Sequence, residues 1–420
     1  MNLTIHRGTE EIGGSCIELQ TAKARILIDF GLPLKDVQDE IKKKSKEQLI
    51  ESKLLPDIKG LYKGEKQEFN AVLISHAHQD HYGLLSFINP AIQVYMSKGT
   101  KIMVGVSYFF NQSNYKLQNV ETKPAWKQFR IKDIMITPYL VDHSGFDAFA
   151  FLIEAEGKRI FYTGDFRGHG RKKIAFETMI KGQIKNVDYL IMEGTMLSRE
   201  DEQYKTEEDV QKEMESVLKQ SGKLTLLECS SQNIDRIVSA YKACLNTKTL
   251  LVIDPYTAYV LYKLKPISKH IPQYDWRGIK VFCVGPYSDK IFKDDDIRKK
   301  FGMAKIEKKD VFGLKQKMLI KNSSLMGRVL KGQKLLNARS VIYSQWDGYL
   351  KNRKQFWDEN QVKIIQIHTS GHAYAEDLVK LANAIKPKHL IPIHTEKAKK
   401  YVKYFKFPIK PLQDGKKYAI

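Results

Sequence analysis

A cluster of residue types that bind divalent metals stands out in this 420-residue chain. Within six residues the sequence places His76, His78, Asp80 and His81, directly after the apolar run at 71–74. Imidazole nitrogens and carboxylate oxygens are ligands that zinc and related divalent ions prefer. A turn at the end of a strand can direct neighbouring side chains toward two metal centres. The spacing H-x-H-x-D-H therefore predicts a metal site.

Further residues of the same chemistry stand at the ends of other predicted strands. They are His143 in VDHSG, Asp165 in YTGD and His394 in LIPIH. An acid after a glycine turn, as at Asp165, could bridge two cations. Asp29 ends RILIDFG and could orient a ligand histidine through a hydrogen bond. Taken singly, each of these residues is equally compatible with a capping or surface role.

The elements that must position these residues change character along the chain. Up to residue 205 we predict short strands, among them 3–6, 16–19, 25–29, 71–74, 134–141, 159–163 and 189–192, with an exposed helix at 36–55. From 206 onward helices at 207–220 and 233–245 alternate with strands at 224–228 and 250–253, which predicts a mostly parallel α/β module. A helix at 375–385 and a strand at 390–393 follow. We therefore predict a first domain of 1–205 completed by 361–420, with 206–360 inserted between them.

Composition excludes several classes of protein. Hydrophobic residues make up 42% of the chain and charged residues 28%, which is a globular balance. No apolar run approaches the length of a membrane span, and the first residues lack the apolar core of a signal peptide. Four scattered cysteines form no C-x-x-C pair, which argues against a disulfide framework or a thiolate zinc site. These features predict a cytoplasmic protein with no membrane partner.

The charge balance favours a polyanionic partner. Seventy basic residues against 48 acidic ones leave a formal charge of +22, which suits RNA, DNA or an anionic surface. The run at 311–340 holds seven lysines or arginines and no acid. A lysine-rich surface also arises from biased genome composition, so charge alone does not decide the matter.

The strand-end residues together resemble the metallo-β-lactamase family. The resemblance implies an α/β fold in which two sheets pack face to face with helices outside, an αββα sandwich. It implies that one metal is held by His76, His78 and His143. It implies that a second is held by Asp80, His81 and His394, with Asp165 bridging the two and Asp29 behind the ligands.

A second set of motifs resembles the β-CASP nucleases of that superfamily. His394 follows Asp165 by 229 positions, which leaves room for an inserted mostly parallel α/β β-CASP domain. The order of Glu193 in MEGT, His372 in HTSGHA and His394 in PIHTE matches the three motifs of the group, although MEGT departs from the usual E-S-T. Residues 364–396 look most like ribonuclease J and its bacterial relatives. In the DNA-repair branch the last position is typically valine, so His394 favours RNA. We expect a single-stranded RNA partner, without excluding DNA.

The resemblance implies a metal-dependent ribonuclease, exo, endo or both, with two divalent ions, Zn²⁺ or alternatively Mn²⁺. We assign His372 as the proton donor to the leaving oxygen and Glu193 as its partner, and count Asp80 with the catalytic residues. Substrate phosphate is expected at Ser370, Gly371, Ser230, Ser231 and Arg236, the last three at the start of a helix. The site entrance is expected to be lined by Arg167, Arg171, Lys172 and Lys173.

Two alternatives remain open: a nucleic-acid-binding partner with weak or no nuclease activity, and a small-molecule metallo-hydrolase. The oligomeric state is open too, with a homodimer among the possibilities. A complete ligand set argues against the first alternative, since a binding protein does not need one. The large insertion and the charge argue against the second.

Overall fold

The structure is a computed structural model that describes residues 1–34, 37–199, 202, 204–337 and 339–420. The chain divides into two compact units. The first consists of Met1–Gln203 and Gly371–Ile420, and the second of Tyr204–Ser370. The predicted insertion, 206–360, falls inside the second unit.

Strands supply most of the first unit, and parallel strands form the centre of the second. In the first unit the described strands are β1 (Asn2–Arg7), β2 (Cys16–Gln20), β3 (Arg25–Ile28), β4 (Ala71–Leu73), β5 (Gln93–Met96), β6 (Val120–Thr122), β7 (Phe129–Ile131), β8 (Ile134–Leu140), β9 (Phe149–Ala155), β10 (Lys158–Tyr162), β11 (Tyr189–Glu193), β18 (His389–Ile393) and β19 (Lys417–Ala419). In the second unit they are β12 (Leu224–Glu228), β13 (Leu250–Ile253), β14 (Ile279–Val281), β15 (Met318–Lys321), β16 (Ser340–Tyr343) and β17 (Lys363–Gln366).

The helices are short in the first unit and longer in the second. The first unit contains α1 (Gln38–Lys43), α2 (Lys46–Glu51), α3 (Gln79–Tyr82), α4 (Lys98–Phe109), α5 (Lys173–Thr178), α14 (Ala375–Ile385) and α15 (Tyr401–Tyr404). The second contains α6 (Glu207–Gln220), α7 (Ile234–Asn246), α8 (Pro255–Leu264), α9 (Pro286–Ile291), α10 (Asp295–Met303), α11 (Lys308–Phe312), α12 (Ser324–Gly332) and α13 (Lys351–Glu359). Across the described ranges we find no helix with both the length and the apolar character needed to cross a bilayer.

The first unit is a sandwich of two sheets. Within the described residues one sheet has the order β19-β1-β2-β3-β4-β5-β6 and the other β18-β11-β10-β9-β8-β7. Their facing sides form one apolar core that includes Ile26 of β3, Ile153 of β9 and Ile191 of β11. On the far side of the second sheet, Leu378 and Leu381 of α14 pack into a second core. This arrangement confirms the predicted αββα sandwich.

The prediction of one exposed helix at 36–55 is wrong. Two short helices, α1 and α2, occupy that stretch, and its first residue lies outside the described residues. The break falls at Ser45, whose extended backbone begins a new helix. The Ser45 side chain accepts from the Gln48 backbone N–H, while the Gln48 side chain accepts from the Ser45 N–H. This reciprocal cap ends one helix and starts the next.

The second unit is built on a parallel sheet, as predicted. Its described strands have the order β14-β13-β15-β12-β16-β17, and every neighbouring pair is parallel. Such strands are covered on both faces and therefore have continuous apolar sequences, as LLVI in β13 does. Because all the strands run the same way, the loops after their carboxyl ends emerge at one edge. Ligands of open α/β sheets bind at this edge.

Candidate metal centre

Strand ends position the candidate ligands of the first unit. β8 and β10 are each antiparallel to β9, and β10, β11 and β18 are mutually parallel. The carboxyl ends of β8, β10, β11 and β18 therefore lie at one edge of the sheet. His394 follows the end of β18 directly, and His143 and Asp165 each stand at the third position after the ends of β8 and β10. In the facing sheet β4 ends just before His76, and α3 turns His81 into the interior.

Three histidines form the first cluster. The ligand nitrogens of His76, His78 and His143 lie within 4.8 Å of one another. His143 Nδ1 lies 2.5 Å from the Gly371 carbonyl oxygen, which can only accept, so Nδ1 carries the proton. The lone pair of His143 Nε2 then faces His78 Nδ1 across 3.1 Å. Buried His76 Nε2 has no hydrogen-bond partner in the described residues, so the group fits a cation.

Two carboxylates and two histidines form the second cluster. The ligand atoms of Asp80, His81, Asp165 and His394 also lie within 4.8 Å of one another. His394 Nε2 is 3.2 Å from Asp80 Oδ2. His81 Nε2 is 3.1 Å from Asp165 Oδ2, yet among the described residues neither atom has a partner in hydrogen-bond geometry. A carboxylate and imidazoles converging in this way suit a divalent ion.

Asp165 lies between the two clusters. In the described chain its Oδ2 atom lies within 4.0 Å of nitrogens on five histidines, at 3.1 Å from His81, 3.6 Å from His372, 3.7 Å from His76, 3.9 Å from His394 and 4.0 Å from His143. Neither carboxylate oxygen has a hydrogen-bond partner there, although the residue is 2% exposed. A buried carboxylate without compensation is costly. The residues present therefore fit a pair of divalent ions with Asp165 between them.

Burial keeps the three histidines of the first cluster neutral. It lowers the pKa of His76 and of His143 well below the ordinary histidine value, and it lowers the pKa of His78 to about 4. These imidazoles are therefore neutral near pH 7. A neutral imidazole binds metal without first losing a proton.

The second cluster attracts positive charge. Burial opposes protonation of His81, but Asp165, Asp80 and Asp29 raise its pKa well above the ordinary value. Burial by itself would raise the pKa of Asp80, but the charge of His81 and a hydrogen bond from His394 lower this pKa to about 2. A divalent ion would supply the positive charge that these carboxylates require.

Asp29 makes a hydrogen bond to His81, one of the candidate ligands. Its Oδ2 atom lies 2.8 Å from His81 Nδ1, 2.8 Å from Ser75 Oγ and 2.7 Å from the Tyr162 hydroxyl oxygen. Asp29 is fully buried and has a left-handed backbone, with φ of 58°. Because His81 Nδ1 donates to this carboxylate, its Nε2 atom is turned toward the second cluster.

Sequence reasoning missed three groups that orient the ligands. Besides the Tyr162 hydroxyl, they are the Thr195 hydroxyl, 2.9 Å from His394 Nδ1, and the Gly371 carbonyl. Thr195 belongs to the MEGT motif, which is a signal that could have identified it. No residue-type signal marks a backbone carbonyl.

Glu193 and His372 form a pair beside the clusters. His372 Nδ1 lies 3.0 Å from Glu193 Oε2, and the backbone N–H groups of Phe166 and Ala373 donate to Glu193 Oε1. Burial opposes protonation of His372, but Glu193 and Asp165 raise its pKa. The His372 side chain is 20% exposed, whereas Glu193 is almost fully buried. This geometry suits a histidine that donates a proton at the opening of the site.

Two family descriptions match the chain. "Beta-lactamase superfamily domain" matches residues 56–229, which include His76 and Asp165. "Zn-dependent metallo-hydrolase RNA specificity domain" matches residues 360–410, which include His372 and His394. The chain carries a metallo-β-lactamase domain. Together the two matches are those of a metal-dependent hydrolase.

Two relatives are similar to this chain along most of its length. A protein named ribonuclease J from Mycoplasma genitalium is 22% identical over 412 residues, 93% of this chain and 67% of that protein. An RNase J-like protein from Methanocaldococcus jannaschii is 22% identical over 427 residues, 94% of this chain and 92% of that protein. These matches confirm the resemblance to the ribonuclease J group.

A solved structure shares the fold. It is a protein of unknown function from Enterococcus faecalis V583, with a TM-score of 0.81 and 22% identity. The similarity covers 100% of this chain and 99% of that one. At this identity the comparison shows a shared fold and nothing more.

The residues expected to contact phosphate have different surroundings. In the second unit Ser230 is exposed, whereas Ser231 is buried and accepts from the Thr257 hydroxyl at 2.8 Å. Ser370 is buried at the end of that unit. In the metallo-β-lactamase domain Gly371 serves through its carbonyl, as the acceptor for His143.

The structure contradicts the expected contact of Arg236 with phosphate. Arg236 is fully buried, and its guanidinium donates to both carboxylate oxygens of Glu207 at 3.1 and 3.3 Å. It also donates to the carbonyls of Ser344 and Thr369. These contacts hold the guanidinium inside the second unit, where it fixes the loops after β16 and β17.

Two other basic residues are not at the surface either. Arg167, expected at the site entrance, is fully buried in the metallo-β-lactamase domain, and its Nε donates to Asp142 at 3.1 Å. Lys321, within the basic run at 311–340, is buried and lies 3.0 Å from Asp254. Because both charges are paired internally, neither side chain adds to the charge at the surface.

Proposed function

We propose that this chain is a ribonuclease that hydrolyses phosphodiester bonds of RNA with two divalent metal ions. The observation that carries the proposal is the position of Asp165, a buried carboxylate with no hydrogen-bond partner among the described residues, close to histidines of both clusters. The first cluster, His76, His78 and His143, would hold one ion. The second, Asp80, His81 and His394, would hold the other, with Asp165 shared.

Different residues of the site would bind metal, orient the ligands and donate a proton. Two bound divalent ions would activate a water molecule and neutralise charge on the phosphate. Asp29 and the Gly371 carbonyl keep the ligand nitrogens of His81 and His143 pointing inward. Glu193 holds His372 Nδ1, which leaves His372 Nε2 to deliver a proton to the departing 3′ oxygen.

Three observations support RNA as the substrate. The similar relatives are named ribonuclease J or RNase J-like, and a domain described as an RNA specificity domain matches residues 360–410. The chain carries a formal charge of +22, which suits a polyanion.

Three imidazoles in the first cluster favour zinc there, while the carboxylates of the second also suit manganese. We place the protein in the cytoplasm, where its unpaired cysteines would remain reduced.

The deciding experiment incubates the purified, metal-analysed chain with RNA labelled at its 5′ end. Matched strands carry a 5′ monophosphate, a 5′ hydroxyl or deoxyribose. Release of labelled mononucleotide means 5′ exonuclease activity, and longer labelled fragments mean internal cleavage. An Asp80→Ala/His81→Ala variant removes two ligands and should lose both the second metal and the activity.

The control is an Asp275→Ala/His270→Ala variant, which removes the same residue types from exposed positions of the second unit. It should cleave like the unchanged chain. If two metals bind but no strand is cleaved, the ribonuclease proposal fails and a binding role takes its place. Equal cleavage by the Asp80→Ala/His81→Ala variant would also refute the proposal.

A further inference from the structure

An exposed aromatic pair lies on the loop after β16 in the second unit. Trp346 is 38% exposed and Tyr349 is 51% exposed. Their ring centroids lie 5.3 Å apart with the ring planes at 88°. A contiguous exposed apolar patch can mark an interaction site. The loop leaves the carboxyl edge of the parallel sheet, where such folds bind ligands.

The pair is held in place by its own loop. The Trp346 ring lies so close to Gly348 that a Cβ atom there would overlap it. The Tyr343 hydroxyl donates to the Trp346 carbonyl at 3.4 Å, and the Gln366 side chain donates to Asp347. One face of the indole is therefore packed against the Gly348 backbone. An anchored ring loses little conformational entropy when a ligand stacks on it.

The surroundings of the pair are basic. Helix α13 starts two residues after Tyr349, and it presents exposed Lys351 and Lys354. Of the acids near the pair, Asp347 accepts from the Gln366 side chain and Glu228 is paired with Arg353 of α13, whereas Asp358 and Glu359 stand at the end of that helix. Strand β12 is parallel to β16, with Glu228 paired with Tyr343. The exposed Ser230, which follows β12, therefore lies at the same edge of the sheet. Aromatic rings interleaved with cations are typical of surfaces that bind single-stranded nucleic acid.

We propose that Trp346, with the Tyr349 ring at a right angle to it, forms a stacking platform for an unpaired base of single-stranded RNA, with Lys351 and Lys354 on the adjacent phosphates. The inference deepens the proposed function, because it takes RNA as the ligand, but it does not depend on cleavage. The basic flank favours a nucleic acid over an apolar protein surface. Stacking uses the face of the base, so the platform would tolerate different bases.

The test measures binding of a 5′-fluorescent oligouridylate by anisotropy, in full-length chain carrying Asp80→Ala/His81→Ala so that no strand is cut. Adding Trp346→Ala should raise Kd about tenfold, as is typical when the stacking of one base is removed. Trp346→Phe keeps a ring and should raise Kd less. Gly348→Ala, which displaces the ring without deleting it, should resemble Trp346→Ala.

An abasic strand of the same length separates stacking from charge. Trp346→Ala should leave its Kd unchanged, whereas Lys351→Ala/Lys354→Ala should weaken the binding of both strands. The lysine variant should also flatten the dependence of log K on log salt by about 0.7 for each phosphate that is no longer neutralised. Equal affinity of the Trp346→Ala variant for oligouridylate, or equal weakening on both strands, would overturn the platform. So would a Trp346→Ala effect on self-association alone.

The two proposals fail separately. If the unchanged chain does not cleave RNA but Trp346→Ala weakens oligouridylate binding selectively, the ribonuclease proposal falls and the platform stands. If the chain cleaves RNA while Trp346→Ala binds normally, the platform falls alone. Thermal unfolding of each variant shows that the comparison is made on folded protein, and Trp346→Phe provides the conservative substitution.

Discussion

His143 Nδ1 and the Gly371 carbonyl oxygen lie 2.5 Å apart although 228 positions separate the two residues in the sequence. This hydrogen bond determines which imidazole nitrogen of His143 is left to bind metal. It also ties a ligand after β8 to the segment that carries His372. The first cluster and the proposed proton donor are therefore positioned by the same backbone.

Gly371→Ala should weaken metal binding at the first cluster. A Cβ atom at this position would overlap Ser144 Oγ and approach Ser144 Cβ to 2.9 Å, so the carbonyl must move away from His143. Loss of a group that orients a ligand typically costs 10- to 100-fold in metal affinity. Titration with a competing chelator measures the loss. The Ser144→Gly/Gly371→Ala variant makes room for the methyl group and should recover most of the affinity, and no recovery would refute this explanation.

Asp165→Asn should reduce the bound metal from two ions per chain to one or none. A neutral amide at the centre of the two clusters cannot balance two divalent charges, and its N–H₂ group would face imidazole lone pairs. Metal analysis after gel filtration gives the stoichiometry directly. Asp57→Asn, at an exposed position, is the matched control. Retention of two ions by Asp165→Asn would show that this carboxylate does not bridge.

Glu193→Gln and His372→Gln should each lower kcat of RNA cleavage by about 10²- to 10⁴-fold, the usual contribution of a proton donor. KM should change little, because neither residue is assigned to substrate binding. The double variant should be about as slow as either single variant, since the two residues act as one unit. Multiplicative losses, or a loss confined to KM, would argue against the proton-donor role.

Glu18→Gln should destabilise the first unit in a pH-dependent way. The Glu18 carboxylate is buried beside His6 and Arg25, and their hydrogen bonds, against the effect of burial, lower its pKa to about 2. An unfolded glutamate titrates near 4.5. The contribution of this carboxylate is thus complete above about pH 5 and declines as the pH falls toward 2.

Urea unfolding at pH 6 should show Glu18→Gln to be less stable by about 2–3 kcal/mol. The difference should shrink by roughly half at pH 3. Glu68→Gln is the control, because Glu68 contacts the same Arg25 but is 53% exposed, and an exposed pair contributes about 0–1 kcal/mol. A pH-independent difference for Glu18→Gln would indicate a packing effect instead.

Local patterns predicted the elements whose signals are complete within the segment. The helix Ala375–Ile385 and the strand Leu224–Glu228 were predicted with the bounds that the structure has, since each carries its own apolar period. The exposed helix at 36–55 was not resolved into two, because a cap at Ser45 competes with a polar sequence that has helical propensity throughout. β19 was not predicted, since its strand exists only through pairing with β1.

The candidate metal ligands could be predicted from the sequence because metals are bound by only a few residue types. His76, His78, Asp80, His81, His143, Asp165 and His394 could be named from spacing and resemblance, and the structure brings them into two adjoining clusters. Charge type, however, does not reveal burial. Arg236 and Arg167 are of the residue type that contacts phosphate. Each is instead paired with a carboxylate inside its own unit.

The sequence by itself determined which side chains can bind metal and predicted the parallel second unit, because these depend on residue type and period, and its resemblance to the metallo-β-lactamase family implied the sandwich fold. Only the tertiary structure decided which nitrogen of each histidine faces the clusters and which cations are buried. It alone revealed Trp346 lying against Gly348. The reason is physical: a hydrogen bond such as that of His143 with Gly371 joins atoms that only the folded chain brings together.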